Sequence, residues 1–271
     1  MDDSNPKPKR QNLRKGIFLL PNLFTTGALF AGFYAIIAAM KGQYDTAAMA
    51  IFLAMLLDGL DGRVARLTNT QSAFGAEYDS LADMVSFGVA PALILYQWSL
   101  IHLAETSVLL GKIGWLAAFI YTTCTALRLA RFNTQIGVAD KRYFQGLACP
   151  AGAAVSMGAV WLCETYDISG SDIIYPALVL TLVVGTLMVS RFPYYSFKDL
   201  DMRKKVPFVS VLVVMLVFVF LSIEPPTVLF SAAFLYMLSG PVISLFRWNR
   251  KRQRLSETVD TAEAEETEES K

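Results

Sequence analysis

Long apolar segments alternate with short polar ones along most of the chain. A run of about 20 apolar residues is long enough to cross the hydrocarbon core of a membrane, where a helix satisfies its own backbone hydrogen bonds. Such runs predict about eight membrane-spanning helices. We place them near residues 17–40, 46–66, 77–101, 111–132, 147–164, 172–190, 206–223 and 227–247. The sequence therefore predicts an all-α fold, a polytopic transmembrane helix bundle.

Composition and charge agree with this pattern. Hydrophobic residues make up 54% of the 271 residues and charged residues 17%, which is too apolar for an ordinary soluble domain. If the N-terminus is cytoplasmic, nearly all Lys and Arg fall on the inner side, and the outside loops keep only Lys41 and Lys112. This positive-inside asymmetry predicts that both termini are cytoplasmic.

The two ends of the chain are polar. Residues 1–16 are basic and precede a long apolar span without a clear cleavage site, so we expect a cytoplasmic segment rather than a signal peptide. Residues 248–271 form a charged tail that we expect to be disordered, with basic residues at 250–254 that meet anionic membrane phospholipids. The net charge of +1 gives no reason to expect a nucleic-acid partner.

The residues that most often carry metal or redox chemistry are sparse. Cys124, Cys149 and Cys163 lie in or beside apolar segments, and their spacing fits neither a metal site nor a disulfide framework. We expect them to be core residues. The single histidine, His102, falls in a predicted loop with no triad or ligand partner near it, so we expect it to be solvated.

Four aspartates stand next to an apolar run that looks membrane-buried. Asp58 and Asp61 are three residues apart, and Asp79 and Asp83 are four apart on the next predicted helix. Both spacings place two side chains on one helix face, and the polar linker 67–74 allows an antiparallel turn that brings all four together. An ionised carboxylate at membrane depth costs about 2.5–3.5 kcal/mol, so a cation is the economical partner. Oxygen ligands of this kind suit Mg²⁺ or Mn²⁺, and two ions about 3.5–4 Å apart would clamp a pyrophosphate.

The residues between the aspartates fit a phosphate-bearing substrate. Gly62 and Gly75 leave room for a nucleotide to approach the backbone, and the small side chain of Ala65 leaves space on the same helix face. Arg66 offers a planar fork for phosphate oxygens. The alternative is that the carboxylates are interface charges paired with Arg63 and Arg66, which explains two of them but not four on two helices.

This run resembles the signature of the CDP-alcohol phosphatidyltransferases, D-x-x-D-G-x-x-A-R, a short spacer, then G-x-x-x-D-x-x-x-D. Every signature position is matched: Asp58, Asp61, Gly62, Ala65, Arg66, Gly75, Asp79 and Asp83. Upstream, residues 21–25 are similar to the family's P-N-x-x-T motif. Downstream, residues 128–133 and 144–151 resemble the integral-membrane phosphatidylserine synthase branch.

The resemblance implies an enzyme that transfers a phosphatidyl group from CDP-diacylglycerol to the hydroxyl of L-serine, giving phosphatidylserine and CMP. It implies two ions, Mg²⁺ or Mn²⁺, and a homodimer in the membrane. Residues 17–190 would form the catalytic bundle of six spans and residues 206–247 two added spans. Asp58, Asp61 and Asp79 would bind metal, and Asp83 would be both ligand and general base. Contacts to the donor would come from Asn22, Thr25, Gly62, Ala65, Arg66, Ser72 and Gly75. We expect the active site to face the cytoplasm at a bacterial inner membrane.

The acceptor is harder to identify from the residues. Arg128 and Arg131 are three apart near the inner end of the fourth span, where an arginine would hold the serine carboxylate, and Asn133 would support the same pocket. The arginines also fit ordinary inside anchoring charge. A glycerol 3-phosphate or inositol phosphate acceptor would need arginines too, so only the branch resemblance favours serine. Phosphatidylglycerophosphate synthase stays the main alternative.

Two other classes fit less well. Intramembrane prenyltransferases also use aspartates and magnesium, but their two acidic motifs lie far apart in sequence, whereas these four aspartates fall within residues 58–83. A membrane cation transporter would carry acids near the middle of the bilayer on several spans. Here the acids cluster at one face or lie in loops and the tail.

Overall fold

The computed structural model describes residues 9–68, 70, 72–134, 143–195 and 222–246, and within these ranges the chain is helical apart from connecting turns and one short ribbon. Its helices are α1 Lys9–Met40, α2 Tyr44–Leu67, α3 Ala73–Asp83, a π-helical turn Met84–Val89, α4 Ala90–Trp98, a 3₁₀ turn Leu100–His102, α5 Leu103–Thr106, α6 Val108–Thr134, α7 Cys149–Thr165, α8 Ile174–Val189 and α9 Pro225–Phe246. Strands β1 Tyr143–Gln145 and β2 Pro193–Tyr195 pair antiparallel, with Phe144 opposite Tyr194.

The helical bundle agrees with the sequence prediction. Each predicted span falls on helical elements of the described chain except the one near 206–223, of which only residues 222 and 223 are described. Four described stretches are long and apolar enough to cross a membrane, and α8 is apolar but shorter. They are Leu20–Met40, Ala73–Trp98, Val108–Thr134 and Pro225–Phe246. The full set of eight spans and the cytoplasmic termini remain predictions.

Two details differ from the sequence prediction. Helix α1 begins at Lys9, within the segment 1–16 that we predicted as a separate basic N-terminus. Hydropathy marks only the apolar part of a helix, so a polar extension escapes it. The β1–β2 ribbon was not predicted either, because strands of three residues are too short to show an alternating pattern.

Small side chains let α1 and α2 pack closely as an antiparallel hairpin. The two helices turn at Gly42, whose φ of +73° favours glycine. Their interface is lined by buried alanines, and small residues allow the close approach that helices in membranes use instead of a hydrophobic driving force. These alanines are Ala28, Ala31, Ala35, Ala38 and Ala39 on α1 and Ala47, Ala48, Ala50 and Ala54 on α2. The hairpin sets the N-terminal half of α1 beside the acidic end of α2.

The π-helical turn fixes α3 against α1. Ser86 within this turn is fully buried, and its hydroxyl donates to the Ala28 carbonyl oxygen at 3.0 Å. Gly32 of α1 allows the contact, since a Cβ there would lie 2.7 Å from the Ser86 Cα. Single π-helical turns inside helices occur frequently at functional sites. Here the turn follows Asp83 directly, so the end of α3 is held in place.

Candidate active site

A short connection brings the acidic ends of α2 and α3 together. The Thr68 hydroxyl donates to the Val64 carbonyl at 2.7 Å, and Ser72 caps α3 by accepting a hydrogen bond from the Gly75 amide at 3.0 Å. Such a cap satisfies one of the free amides at a helix start and fixes where the helix begins. The aspartates of α2, which share one helix face, therefore lie across the turn from the aspartates of α3, which share another.

The four aspartates form one cluster. One carboxylate oxygen each from Asp58, Asp61 and Asp79 lie within 4.8 Å of one another. The Asp58 side chain also contacts that of Asp83, at the end of α3. The structure thus brings together the carboxylates that the spacing placed on two facing helix surfaces.

Thr25 of α1 orients one of these carboxylates. Its hydroxyl donates to Asp61 Oδ2 at 2.6 Å, and Thr25 is 4% exposed and Asp61 5%. A buried hydrogen bond of this kind, made by a residue behind a ligand, fixes the direction of the ligand atoms. Thr25 thus holds Asp61, and its predicted contact to the donor stays a prediction.

The cluster fits a divalent cation. Asp79 Oδ1 is buried and has no hydrogen-bond partner, which is costly for a carboxylate oxygen unless a cation faces it. Within the described ranges the one ion pair joins His102 to Glu105, so neither Arg63 nor Arg66 neutralises these aspartates there. The alternative interpretation of simple salt bridges therefore lacks its partners. Clustered carboxylate oxygens are the donor set that Mg²⁺ and Mn²⁺ prefer.

Several predicted donor-binding residues gather beside the cluster. A Cβ on Gly75 would lie 3.1 Å from Ser72 Oγ and 3.5 Å from Asn22 Oδ1, so these three residues meet at the start of α3. Gly62 faces open space, with no heavy atom of another segment within 4 Å of the position that a Cβ would take. On the last turns of α2, Ala65 is half-buried and Arg66 is exposed. The roles of these residues in binding the donor remain predictions.

The three predicted acceptor residues on α6, Arg128, Arg131 and Asn133, contact different parts of the structure. Arg128 Nη1 donates to Cys149 Sγ at 3.5 Å, its guanidinium carbon lies 5.5 Å from the centre of the Phe132 ring, and it is within electrostatic range of Asp58 and Asp83. Of the three residues, Arg128 is the one with an electrostatic interaction with the carboxylates.

Arg131 and Asn133 make other contacts. Arg131 Nη1 donates to the Val189 carbonyl at 2.9 Å and to that of Ser190 at 3.4 Å, where α8 ends. Basic side chains commonly satisfy the free carbonyls at a helix C-terminus. Asn133 Nδ2 donates to Ser80 Oγ at 3.0 Å, which ties α6 to α3 next to Asp79. Sequence reasoning missed Ser80, although its place beside Asp79 was a usable signal.

The remaining sequence expectations concern Cys and His. Cys124, Cys149 and Cys163 are free and buried or half-buried, as predicted for core residues. His102 is partly exposed, and its Nδ1 lies 2.9 Å from Glu105 Oε1 three residues later. Neither the cysteines nor the histidine joins the aspartate cluster among the described residues.

The apolar helices and the aspartate cluster together define an integral membrane protein whose site suits divalent cations. Comparison with known families takes the identification further. The CDP-alcohol phosphatidyltransferase family model matches residues 18–190, and the chain belongs to this family. The resemblance noted in the sequence is thereby confirmed.

Curated relatives point to one branch of the family. The chain is 36% identical to a CDP-diacylglycerol–serine O-phosphatidyltransferase of Helicobacter pylori over 85% of its own length and 92% of the relative's. It is 42% identical to a protein of the same name from Mycobacterium tuberculosis, over 55% of this chain and 52% of that one. An archaetidylserine synthase of Methanothermobacter thermautotrophicus is 33% identical over 65% of this chain and 69% of its own. These names agree with the predicted serine branch.

Proposed function

We propose that this protein is a CDP-diacylglycerol–serine O-phosphatidyltransferase. It transfers the phosphatidyl group of CDP-diacylglycerol to the hydroxyl of L-serine, giving phosphatidylserine and CMP. The observation that carries the proposal is the aspartate cluster of α2 and α3, three of whose oxygens lie within 4.8 Å of one another. The proposal is supported by relatives of this name that cover most of the chain.

Asp58, Asp61 and Asp79 would hold the divalent cations, with Asp83 as a further ligand. Thr25 keeps Asp61 in place for this purpose through its 2.6 Å hydrogen bond. When bound, the cations supply positive charge for the pyrophosphate and for the CMP that leaves. We propose two ions, Mg²⁺ or Mn²⁺.

Asp83 would take the proton of the acceptor. A serine hydroxyl is a weak nucleophile until a base removes its proton, and a carboxylate at hydrogen-bond distance does this. The serine oxygen then forms a bond to the phosphorus that carries diacylglycerol, the bond from that phosphorus to the CMP oxygen breaks, and the proton ends on Asp83. Asp83 suits this role because the buried π-helical turn that follows it holds the end of α3 still. We favour direct displacement without a covalent intermediate, because Cys149, which lies within electrostatic range of Asp83, is fully buried and accepts a hydrogen bond from Arg128.

The two substrates would approach from different sides of the cluster. Asn22, Ser72 and Gly75 meet on one side and would contact the nucleotide together with Gly62, Ala65 and Arg66 on α2. On the other side Arg128 is within electrostatic range of Asp58 and Asp83 and would bind the serine carboxylate, with Asn133 supporting the pocket. The donor's acyl chains would stay in the lipid while its head group reaches the site.

We place residues 17–190 as the catalytic unit, which is close to the range 18–190 that the family model matches. Residues 206–247 would add two spans, of which α9 is described. The enzyme would act as a homodimer at the cytoplasmic face of a bacterial inner membrane.

An acceptor panel tests the proposed function. The purified protein, in mixed micelles with CDP-diacylglycerol and Mg²⁺ or Mn²⁺, should release CMP with L-serine and not with glycerol 3-phosphate or inositol phosphate. Release with glycerol 3-phosphate alone would make the protein a phosphatidylglycerophosphate synthase. A protein that conducts cations and releases no CMP with any acceptor would be a transporter.

Arg131→Ala should raise the serine KM more than the donor KM and also lower the midpoint of heat inactivation. The first effect follows from its predicted place in the acceptor pocket. The second follows because the carbonyls of Val189 and Ser190 lose their donor, and a hydrogen bond from a charged group contributes about 1.5–3 kcal/mol. Initial rates over a serine series and heat-inactivation curves measure the two effects. An unchanged serine dependence would remove Arg131 from the pocket and leave it holding α8 alone.

A further inference from the structure

A hydrogen bond between two half-buried side chains joins the acidic helix α3 to α6. Asn133 Nδ2 of α6 donates to Ser80 Oγ of α3 at 3.0 Å. The Ser80 hydroxyl donates its own proton within α3, to the Ala76 carbonyl oxygen at 3.0 Å, whereas Asn133 Oδ1 is farther away at 3.4 Å. Since the hydroxyl both donates and accepts, its direction is fixed and the amide of Asn133 meets it in one orientation.

A second contact joins the same two stretches of chain farther along. Gly88, in the π-helical turn, packs against Thr125 of α6, since a Cβ on Gly88 would lie 3.0 Å from Thr125 Cγ2. Thr125 is fully buried, and its hydroxyl donates to the Tyr121 carbonyl oxygen at 3.0 Å. The two contacts lie eight residues apart on each stretch, Ser80 to Gly88 and Thr125 to Asn133. The stretches therefore run antiparallel in one register.

Asp83 lies within this clamped stretch. Each residue of an α-helix turns the chain by about 100°, so Asp83 lies roughly 40° from Asp79 and roughly 60° from Ser80 around α3. Asp79 faces the aspartates of α2 and Ser80 faces α6, so Asp83 stands where these three helices meet. Arg128 lies between the same two contacts on α6. The proposed base and the proposed acceptor arginine thus belong to the segment that the contacts hold.

The opposite side of α3 is tied to another helix. The hydroxyls of Tyr78 on α3 and Thr26 on α1 are 2.9 Å apart. Tyr78 and Ser80 are two residues apart and so project about 200° apart around α3. Hydrogen bonds on two opposite sides fix the rotation of this 11-residue helix between α1 and α6. Loss of the Ser80 bond frees the side that faces α6 and leaves the side that faces α1 held.

We propose that Ser80 is a positioning residue that, through its hydrogen bond with Asn133, keeps Asp83 at a fixed place relative to the acceptor-binding part of α6. The inference rests on the proposed function, in which Asp83 is the base and Arg128 binds the acceptor. It deepens that function by giving Ser80 a role and by giving Asn133 its place in the pocket. Asn133 acts through Ser80, and neither side chain needs to touch the acceptor.

Ser80→Ala and Asn133→Ala test this inference in the full chain, assayed in mixed micelles with serine varied at saturating CDP-diacylglycerol. Each variant should lower kcat/KM for serine about tenfold, which is less than the roughly 10²-fold that an ångström of misplacement costs. Retention of labelled donor by the solubilised protein should stay within about twofold of the wild type, because Asn22, Ser72 and Gly75 meet at the start of α3. A residue that only stabilised the fold would lower both properties together.

The double variant Ser80→Ala/Asn133→Ala shows whether the two residues act through one hydrogen bond. If they do, the double variant loses about tenfold in kcat/KM for serine, as each single variant does, because two changes that remove the same interaction are not additive. The matched control is Tyr78→Phe, which removes one hydroxyl from the other side of α3 and its contact with Thr26. Its kcat/KM for serine should stay within about twofold of the wild type.

Three results would overturn the inference. The first is an unchanged kcat/KM for serine in Ser80→Ala. The second is a loss of about 100-fold in the double variant, which would mean that the two residues act independently. The third is an equal loss in Tyr78→Phe, which would mean that any loosening of α3 has this effect. The wild-type enzyme keeps these results separate from the proposed function: if it accepts glycerol 3-phosphate instead of serine, the serine assignment fails, and the variants are compared by kcat/KM for that acceptor.

Discussion

Asp83→Asn should slow CMP release by about 1,000-fold or more while the protein still binds CDP-diacylglycerol. General-base catalysis contributes about 10²–10⁴-fold, and an asparagine of the same size cannot accept the proton of the serine hydroxyl. The amide keeps an oxygen that can face a cation and contact Asp58, so the cluster itself should survive. Single-turnover release of CMP and retention of labelled donor by the detergent-solubilised protein measure the two properties separately.

Glu77→Gln is the matched control for this variant. It makes the same carboxylate-to-amide change two residues before Asp79 on α3, at an exposed position outside the cluster. Its turnover and donor binding should equal those of the wild type. If Asp83→Asn instead loses donor binding but turns over bound donor at a normal rate, Asp83 is a binding residue and another group is the base.

Removal of divalent cations should abolish activity, and Mg²⁺ or Mn²⁺ should restore it. Without a cation, three carboxylate oxygens within 4.8 Å of one another repel, and the pyrophosphate of the donor brings more negative charge to the same place. Loss of one preorganised electrostatic contact costs about 10²–10³-fold in other enzymes, so loss of the cations should cost at least that much. CMP release after chelation, with metal content measured on the same sample, checks the expectation.

Cation binding should also be visible without substrate. A ligand that binds only the folded state stabilises it, so Mg²⁺ or Mn²⁺ should raise the heat-inactivation midpoint of the donor-free protein. Asp61→Asn should reduce this shift because it weakens the carboxylate that Thr25 holds, whereas Glu77→Gln should leave it unchanged. Full activity in a metal-free sample would contradict the proposal that catalysis requires divalent cations at the aspartate cluster.

The aspartate cluster was predictable from sequence because it depends on local geometry. Asp58 and Asp61 share one helix face by their spacing, as do Asp79 and Asp83, and the connection between the helices is too short to let them separate. The hydrogen bond from Thr25 to Asp61 was not predictable in the same way. It depends on how α1 and α2 cross, which the alanines of both helices determine together.

Other parts of the site left no local signal. Arg131 has the spacing of a pocket residue relative to Arg128, but the carbonyls that it contacts belong to the end of α8. Tyr194 holds α9 through its hydrogen bond to the Met237 carbonyl because the ribbon of two distant three-residue strands places it there, and nothing near residue 194 in the sequence marks this. Helix positions followed from hydropathy, whereas these contacts follow from tertiary packing between distant segments.

The π-helical turn after Asp83 also makes the number of residues in this stretch matter more than their identity. Each α-helical residue turns the chain by about 100°. Deleting a single residue from Met84–Val89 would therefore rotate Asp79 and Asp83 by roughly that angle relative to α4, or else remove Ser86 from its contact with α1. An insertion would rotate them in the opposite sense. Because this one wide turn sets the rotation of the acids relative to the helix that follows, changes of length here should be less tolerated than substitutions.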